Sequence, residues 1–281
     1  MNFNSYCKQK VANKGSALYY SILFLPKNIR YSIITIYAFL KELNEIIFKN
    51  RNYFSAKNQF DWWRIQLDNI FKRKSKHPIV RGLSSNLLYK IDNNEMLSKL
   101  FEIINEFELD MKKKIYLDYS SLHRYFYNTY GIIGEISLNI LGYKDLNTVF
   151  YIKKITLVLK MIEYIINIRC YALLGKIYIP FKDIEYFNFN VKDIINCNYS
   201  ENFFNLIEFQ YKKIHSFYRE AMKILPNKDK RSLNMTLSMA AIYYEILKKS
   251  EKNKWKILNT KVSLTPMQKF LISKNIYFSK N

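Results

Sequence analysis

Glycine and proline are scarce in this chain, six and five of 281 residues. Folds rich in β-structure need many turns, and turns draw on both residues, so the scarcity excludes a sandwich or barrel and leaves long helices. Cysteine is scarcer still. Cys7, Cys170 and Cys197 are odd in number and form no C-x-x-C pair, which excludes a disulfide scaffold and fits a reduced, cytoplasmic compartment. The opening MNFNSYCKQKVANKGS has neither the apolar centre of a signal peptide nor the Arg-rich, Ser-rich character of an organelle transit segment, so no targeting segment is expected. Internal repeats, low-complexity tracts and linker-like stretches are also lacking. Residues 1–281 are therefore expected to form a single all-α domain with one large core.

Positive charge, by contrast, is abundant, with a formal net charge of +22. Such an excess ordinarily points to nucleic acid or an anionic membrane. Here it comes mostly from lysine and travels with much Asn, Ile, Tyr and Phe and little Ala, the pattern of an A/T-rich coding sequence. Runs such as Lys72-Arg73-Lys74, Lys112-Lys113-Lys114 and Lys252-Asn253-Lys254 are scattered, as solvated helix ends and faces are. Nucleic acid is not an expected partner, whereas peripheral contact with a membrane surface stays open.

The most apolar continuous stretch, Thr156 to Pro180, reads TLVLKMIEYIINIRCYALLGKIYIP. At helical spacing Leu157, Met161, Ile165, Ile168 and Ala172 fall on one stripe and Lys160, Glu163 and Asn167 on another, which predicts a core helix with one polar edge. The run is long enough to span a bilayer, but Lys160, Glu163 and Arg169 interrupt it where each charge costs about 2.5–3.5 kcal/mol in lipid. It is therefore expected to be buried in protein.

Earlier in the chain, Ser16 is positioned to cap a helix, and Pro26 lies near the start of the next. Asn28 to about Phe48 carries Ile29, Ile33, Ile36, Tyr37, Leu40, Leu43 and Ile47 at helical spacing, a strongly amphipathic helix. Trp62 and Trp63 read as core and His77, before Pro78, as a helix-start residue. Helices are predicted over Asn93 to Leu117, Ser121 to Tyr143 and Asn198 to Pro226. Gly131 and Gly134 lie inside the second of these, where each costs about 1 kcal/mol relative to alanine, which reads as close packing at a small-residue face. His215, among Lys213 and Arg219, reads as a surface histidine.

Taken together and in order, these stretches resemble the squalene and phytoene synthase family. Gly175-Lys176-Ile177-Tyr178-Ile179-Pro180 is similar to its G-R-I-Y-L-P-type segment. Tyr19-Tyr20, Leu23-Phe24-Leu25-Pro26 and Tyr37-Ala38-Phe39 are similar to its opening. FDWWRIQLDNIF and His77-Pro78-Ile79-Val80 match its W-W and H-P-V segments, and Glu108, Asp110, Tyr116 and Asp118 match its G-M-E-M-D-L-x-x-x-R-Y-x-D segment. MAAIYY and KVSLTPMQKF match its closing motifs. The resemblance implies an isoprenoid synthase fold, a helical bundle around a central apolar cavity, and a Mg²⁺-dependent head-to-head coupling of two farnesyl-type diphosphates to presqualene diphosphate, squalene or phytoene. It also implies that Ser16, Tyr19, Tyr20, Lys41 and Lys261 meet the substrate and that Tyr127 and Tyr243 line the cavity.

The departures fall on the metal motifs. An ungapped alignment places the first aspartate cluster on Asn44, Glu45 and Phe48, and the second motif's Asn, Arg, Asp and Asp on Glu163, Ile166, Asn167 and Tyr171. Only Glu45 keeps a carboxylate. Ionising an allylic diphosphate leaves a highly charged leaving group that metals and cationic donors must stabilise, and Mg²⁺ is held by carboxylate and phosphate oxygens. With Asn, Phe and Tyr at the ligand positions, Mg²⁺ binding is expected to be weak or lost and catalysis impaired, with a prenyl chain or another lipid still held. Two alternatives are weighed beside this. One is an active prenyltransferase in which Glu42, Glu45, Glu163 and Asp110 hold a metal. The other is a non-catalytic scaffold acting by protein contact, as in the family's branch that assists respiratory complex I assembly.

Overall fold

A computed structural model describes residues 2–279 apart from 51, 73–74, 88–91, 144, 227–228 and 231. Helices α1 (Phe3–Val11), α2 (Ala17–Ser21), α3 (Lys27–Lys49) and α4 (Tyr53–Asp68) open the chain, followed by α5 (Pro78–Asn86), α6 (Asn93–Met111) and α7 (Tyr119–Phe126). A π-helical turn, Tyr127–Gly131, then leads into α8 (Ile132–Leu141), α9 (Leu146–Ile166) and α10 (Ile168–Leu173). Two short helices, α11 (Phe181–Tyr186) and α12 (Lys192–Ile195), precede the long α13 (Glu201–Ile224), α14 (Asn234–Lys252) and α15 (Pro266–Phe278). Extended structure among the described residues is confined to one isolated parallel bridge, Ile115 to Ile177. The all-α expectation holds.

Helix α9 is central, packed by α13, α14, α8 and the π-helical turn. Its apolar stripe is buried as its spacing requires: Leu157, Met161 and Ile165 are covered, and Ile168 and Ala172 continue the stripe on α10. Helix α3 is the second core element, packed by α1, α5 and α8. No helix among the described residues is long and apolar enough to cross a membrane. The three cysteines carry free thiols.

Local chemistry sets the boundaries. The Ser16 hydroxyl accepts from the Tyr19 amide at 3.1 Å and starts α2. Asp118 and Ser121 form a capping box that starts α7. The stretch read as one helix from Thr156 is broken at Asn167, whose backbone leaves the helical region (φ −117, ψ 19) and whose side-chain amide donates to the Glu163 carbonyl at 2.8 Å. The amide competes with the helix ladder for that carbonyl, which is why asparagine ends helices. Gly175 then takes a left-handed φ of +74 that a side chain would oppose. The helix predicted to reach Leu117 also stops early, at Met111. Beyond it the chain extends beside residues 177–182, with the amides of Ile177, Phe181 and Lys182 donating to the carbonyls of Lys114, Tyr116 and Leu117.

Gly134 explains itself: a Cβ there would lie 2.9 Å from Thr156 Oγ1 and 3.0 Å from Ile152 Cγ1, so α8 meets α9 only through glycine. Gly131 has ordinary room, 3.8 Å, and the close-packing reading fails for it. Of the paired tryptophans, Trp63 is buried but Trp62 is 41% exposed, a correction to the reading of both as core. His215 is half-buried and bonded to the Tyr244 hydroxyl.

His77 begins α5 as expected, but its ring is wedged against Trp62 and Trp63, centroids 5.4 and 5.1 Å away, and its buried Nδ1 has no hydrogen-bond partner among the described residues. Burial is the main cause that pushes its pKa below 6.5. The folded state thus holds the neutral ring while the unfolded chain takes up the proton more readily, so stability is complete above the unfolded value and declines as pH falls below it. The denaturation midpoint is expected to drop between about pH 7 and pH 5. In His77→Phe, which keeps a ring, that part of the drop should vanish; an unchanged profile would show that His77 is not the titrating group.

Candidate functional site

A cavity of about 400 Å³ opens between α1, α2, α3, the π-helical turn, α9, α10 and α14. Helix α3 contributes Tyr37, Leu40, Lys41, Asn44 and Phe48, spaced three or four apart on one face. Helix α9 contributes Thr156, Leu159, Lys160 and Glu163 in the same manner, and α10 adds Tyr171. The two sequence stretches read as degraded metal motifs therefore confront each other across one space. Phe48 and Tyr171 meet directly, with ring centroids 5.4 Å apart.

Each replaced position is engaged within the protein. Asn44 donates to the Leu40 carbonyl at 2.9 Å and accepts from the Tyr130 hydroxyl at 2.8 Å. Tyr171 packs edge-on to Tyr164, centroids 4.4 Å apart, and donates to Glu163 Oε1 at 3.0 Å. Burial, reinforced by the Glu163 charge, drives the Tyr171 hydroxyl far above its ordinary pKa, so it stays protonated. Asn167 is turned to its helix-ending bond and does not line the cavity.

The surviving carboxylate is engaged too. Glu45 accepts from Lys49 at 2.6 Å and from Lys10 at 3.2 Å, and Lys10 also reaches Glu42 at 2.7 Å. Burial works to raise the Glu45 pKa, but the two lysines outweigh it and hold the group below the usual carboxylate range. Burial likewise opposes the charge of Lys10, and Glu42 and Glu45 overcome it, so Lys10 stays charged. An ammonium supplied by α1 thus occupies the space between the two carboxylates.

Lys160 forms the second internal pair. It reaches Glu163 at 2.5 Å and lies 3.9 Å from the centre of the Tyr130 ring. Burial is the largest single influence and acts to lower its pKa, but Glu163 and Tyr130 together outweigh it and leave it raised. An ammonium against an aromatic face and a carboxylate is well compensated despite its burial.

These partners decide whether Mg²⁺ fits. The four carboxylates considered as a rescue set are not brought together: Glu42 and Glu45 share Lys10, Glu163 holds Lys160, and Asp110 is buried elsewhere with Lys176, Tyr116 and Tyr178. Among the described residues no three His, Cys, Asp or Glu side chains are grouped to hold a metal ion. Mg²⁺ asks for oxygen donors free of other partners, and the residues here do not fit it.

Of the other expected site residues, Ser16, Lys41 and Tyr243 line the cavity, and burial raises the Tyr243 pKa. Tyr127 does not. It stacks on His123 and accepts from Lys153 at 2.6 Å, while Tyr130, three residues on in the π-helical turn, faces the cavity instead. Tyr19 and Tyr20 pack edge-to-face, centroids 5.0 Å apart, in a small cluster with α14 and α15, and Lys261 is exposed; none of the three lines the cavity. Sequence reasoning missed Lys10 and Tyr130 and gave Lys160 only a helix edge. For Lys10 there was no signal, since it precedes every matched motif. For Lys160 the three-residue spacing to Glu163 was one.

Comparison with known proteins places these observations in context. Residues 11–268 match the family model described as squalene/phytoene synthase. The chain is 24% identical to a phytoene synthase of Arthrospira platensis, covering 94% of this chain and 89% of that one. It is 22% identical to a 15-cis-phytoene synthase of Synechocystis, covering 94% and 81%. Among solved structures it is similar to a dehydrosqualene synthase in complex with ligand, with a TM-score of 0.78 at 19% identity over 98% of this chain and 95% of that one. A squalene synthase from Alicyclobacillus acidocaldarius gives a TM-score of 0.73 at 18% identity, over 90% and 94%.

Proposed function

Since this chain belongs to the squalene/phytoene synthase family, we propose that it is a member impaired in the family's coupling reaction, whose cavity still holds a prenyl chain or another lipid. One observation carries the reading. The two faces that the family resemblance assigns to metal-binding carboxylates meet across the cavity with Phe48 against Tyr171, and Glu45, the one acid kept, is neutralised by Lys10 and Lys49.

The chemistry follows from charge. Departure of a diphosphate requires groups that gain interaction energy as negative charge builds on the leaving oxygen. Lys10 and Lys160 are already committed to carboxylates, so they would have to break those pairs to help. The apolar part of the cavity, by contrast, is intact: Leu18, Leu40, Ile133, Leu159 and Met239 line it, which is what an isoprenoid or acyl chain requires.

Incubation of the purified protein with farnesyl diphosphate and Mg²⁺ is expected to release no pyrophosphate above the buffer control, and addition of EDTA is expected to change nothing. Pyrophosphate appearing at turnover rates would overturn the reading in favour of an active prenyltransferase.

A further inference from the structure

The charged groups of the cavity are balanced among themselves save one. Four charged side chains line it, Lys10, Lys41, Lys160 and Glu163. Lys160 is matched by Glu163, and Lys10 together with Lys49 is matched by Glu42 and Glu45. Lys41 forms no ion pair among the described residues. It is exposed while also lining the cavity, so it stands at the mouth. The site as folded therefore offers a ligand one uncommitted positive charge, at the rim, with apolar walls behind it.

From this we infer that the ligand is a single-chain lipid with a singly charged acidic head, its chain inside the cavity and its head on Lys41. The inference rests on the lipid-cavity reading above and narrows it. A volume of about 400 Å³ lies near the lower end of the 300–1,000 Å³ or so that small-molecule sites occupy, room for one chain. A head carrying about three negative charges would find one free ammonium at the rim and no second cation unless Lys10 or Lys160 left its carboxylate, so most of its charge would go unmatched. A singly charged head needs no external cation.

Three probes that share one chain isolate the head: farnesol, farnesoic acid and farnesyl diphosphate, titrated calorimetrically into the intact protein with EDTA and again with Mg²⁺. Farnesoic acid is expected to bind tightest, about tenfold or more above the diphosphate in EDTA, with Mg²⁺ making no difference to that order. Lys41→Gln, a change on an exposed side chain that leaves the packing alone, is expected to bring the acid down to the affinity of the alcohol. Diphosphate bound more tightly than the acid, with or without Mg²⁺, overturns the inference and leaves the lipid cavity standing. An acid preference that survives Lys41→Gln overturns it as well. Failure of all three probes to bind overturns both the inference and the lipid-cavity reading.

Discussion

Asp110→Ala is expected to lower the free energy of unfolding by about 3–5 kcal/mol, the usual cost of leaving one partner of a buried ion pair alone. The Asp110 side chain is fully buried. It accepts from the Tyr116 hydroxyl at 2.6 Å, the Tyr178 hydroxyl at 2.9 Å and the Lys176 ammonium at 3.2 Å. Lys176 is itself buried, and burial holds its pKa below the ordinary lysine range in spite of Asp110. Removing the carboxylate leaves the Lys176 ammonium on the backbone carbonyls of Asp110 and Lys113 without a counter-charge, and strands two hydroxyls, in the joint between the end of α6 and the segment after α10. Urea denaturation followed by circular dichroism measures the loss; a change below about 1 kcal/mol would mean that the network is hydrated in solution and adds little.

The second large effect concerns the aromatic filling of the site. Returning acids to all four positions, as Asn44→Asp, Phe48→Asp, Asn167→Asp and Tyr171→Asp in one protein, is expected to destabilise it by about 5 kcal/mol or more, since losing one buried aromatic ring alone costs about 3–5. Tyr171 contacts the rings of Phe48, Tyr164 and Tyr178, and an aspartate there would add a second carboxylate beside Glu163, whose one cation is Lys160. Mg²⁺ is then expected to raise the unfolding midpoint of the variant and not that of the wild type, because an ion that binds only the folded form stabilises it. A variant as stable as wild type, or one indifferent to Mg²⁺, would show that these four positions do not control the site.

Both effects bear on which residues the chain has kept. The acidic residues that still match the family pattern outside the metal motifs have structural employment here. Glu108 joins α6 to α4 through Tyr53 at 2.6 Å and Arg64 at 2.7 Å, Asp110 is the buried hub, and Asp118 caps α7. Of the positions that depart from the pattern, Asn44, Phe48 and Tyr171 line the cavity and Asn167 does not.

How much of this was readable from residues alone depends on the range of the forces involved. The buried stripe of α9 and the long α3 came from spacing, because burial of one helix face is a local periodicity. The facing of Asn44 and Phe48 toward Glu163 and Tyr171 came from the family resemblance. The break at Asn167 was hidden, since asparagine bonds its own helix only where the surrounding packing lets the chain turn. Tyr127 was placed on the cavity by the family motif alone, and the π-helical turn that presents Tyr130 there has no signature in the residues. Lys10 could not be found at all: its meeting with Glu42 and Glu45 spans more than thirty positions and depends on how α1 lies on α3.

That lysine alters what the site depends on. A dissolved ion comes and goes with its supply, and a chelator can strip it. A charge carried on a side chain of the protein itself is delivered once, when the first helix docks, and no change in magnesium supply can withdraw it. The charge in this part of the cleft is thus settled at the moment of folding.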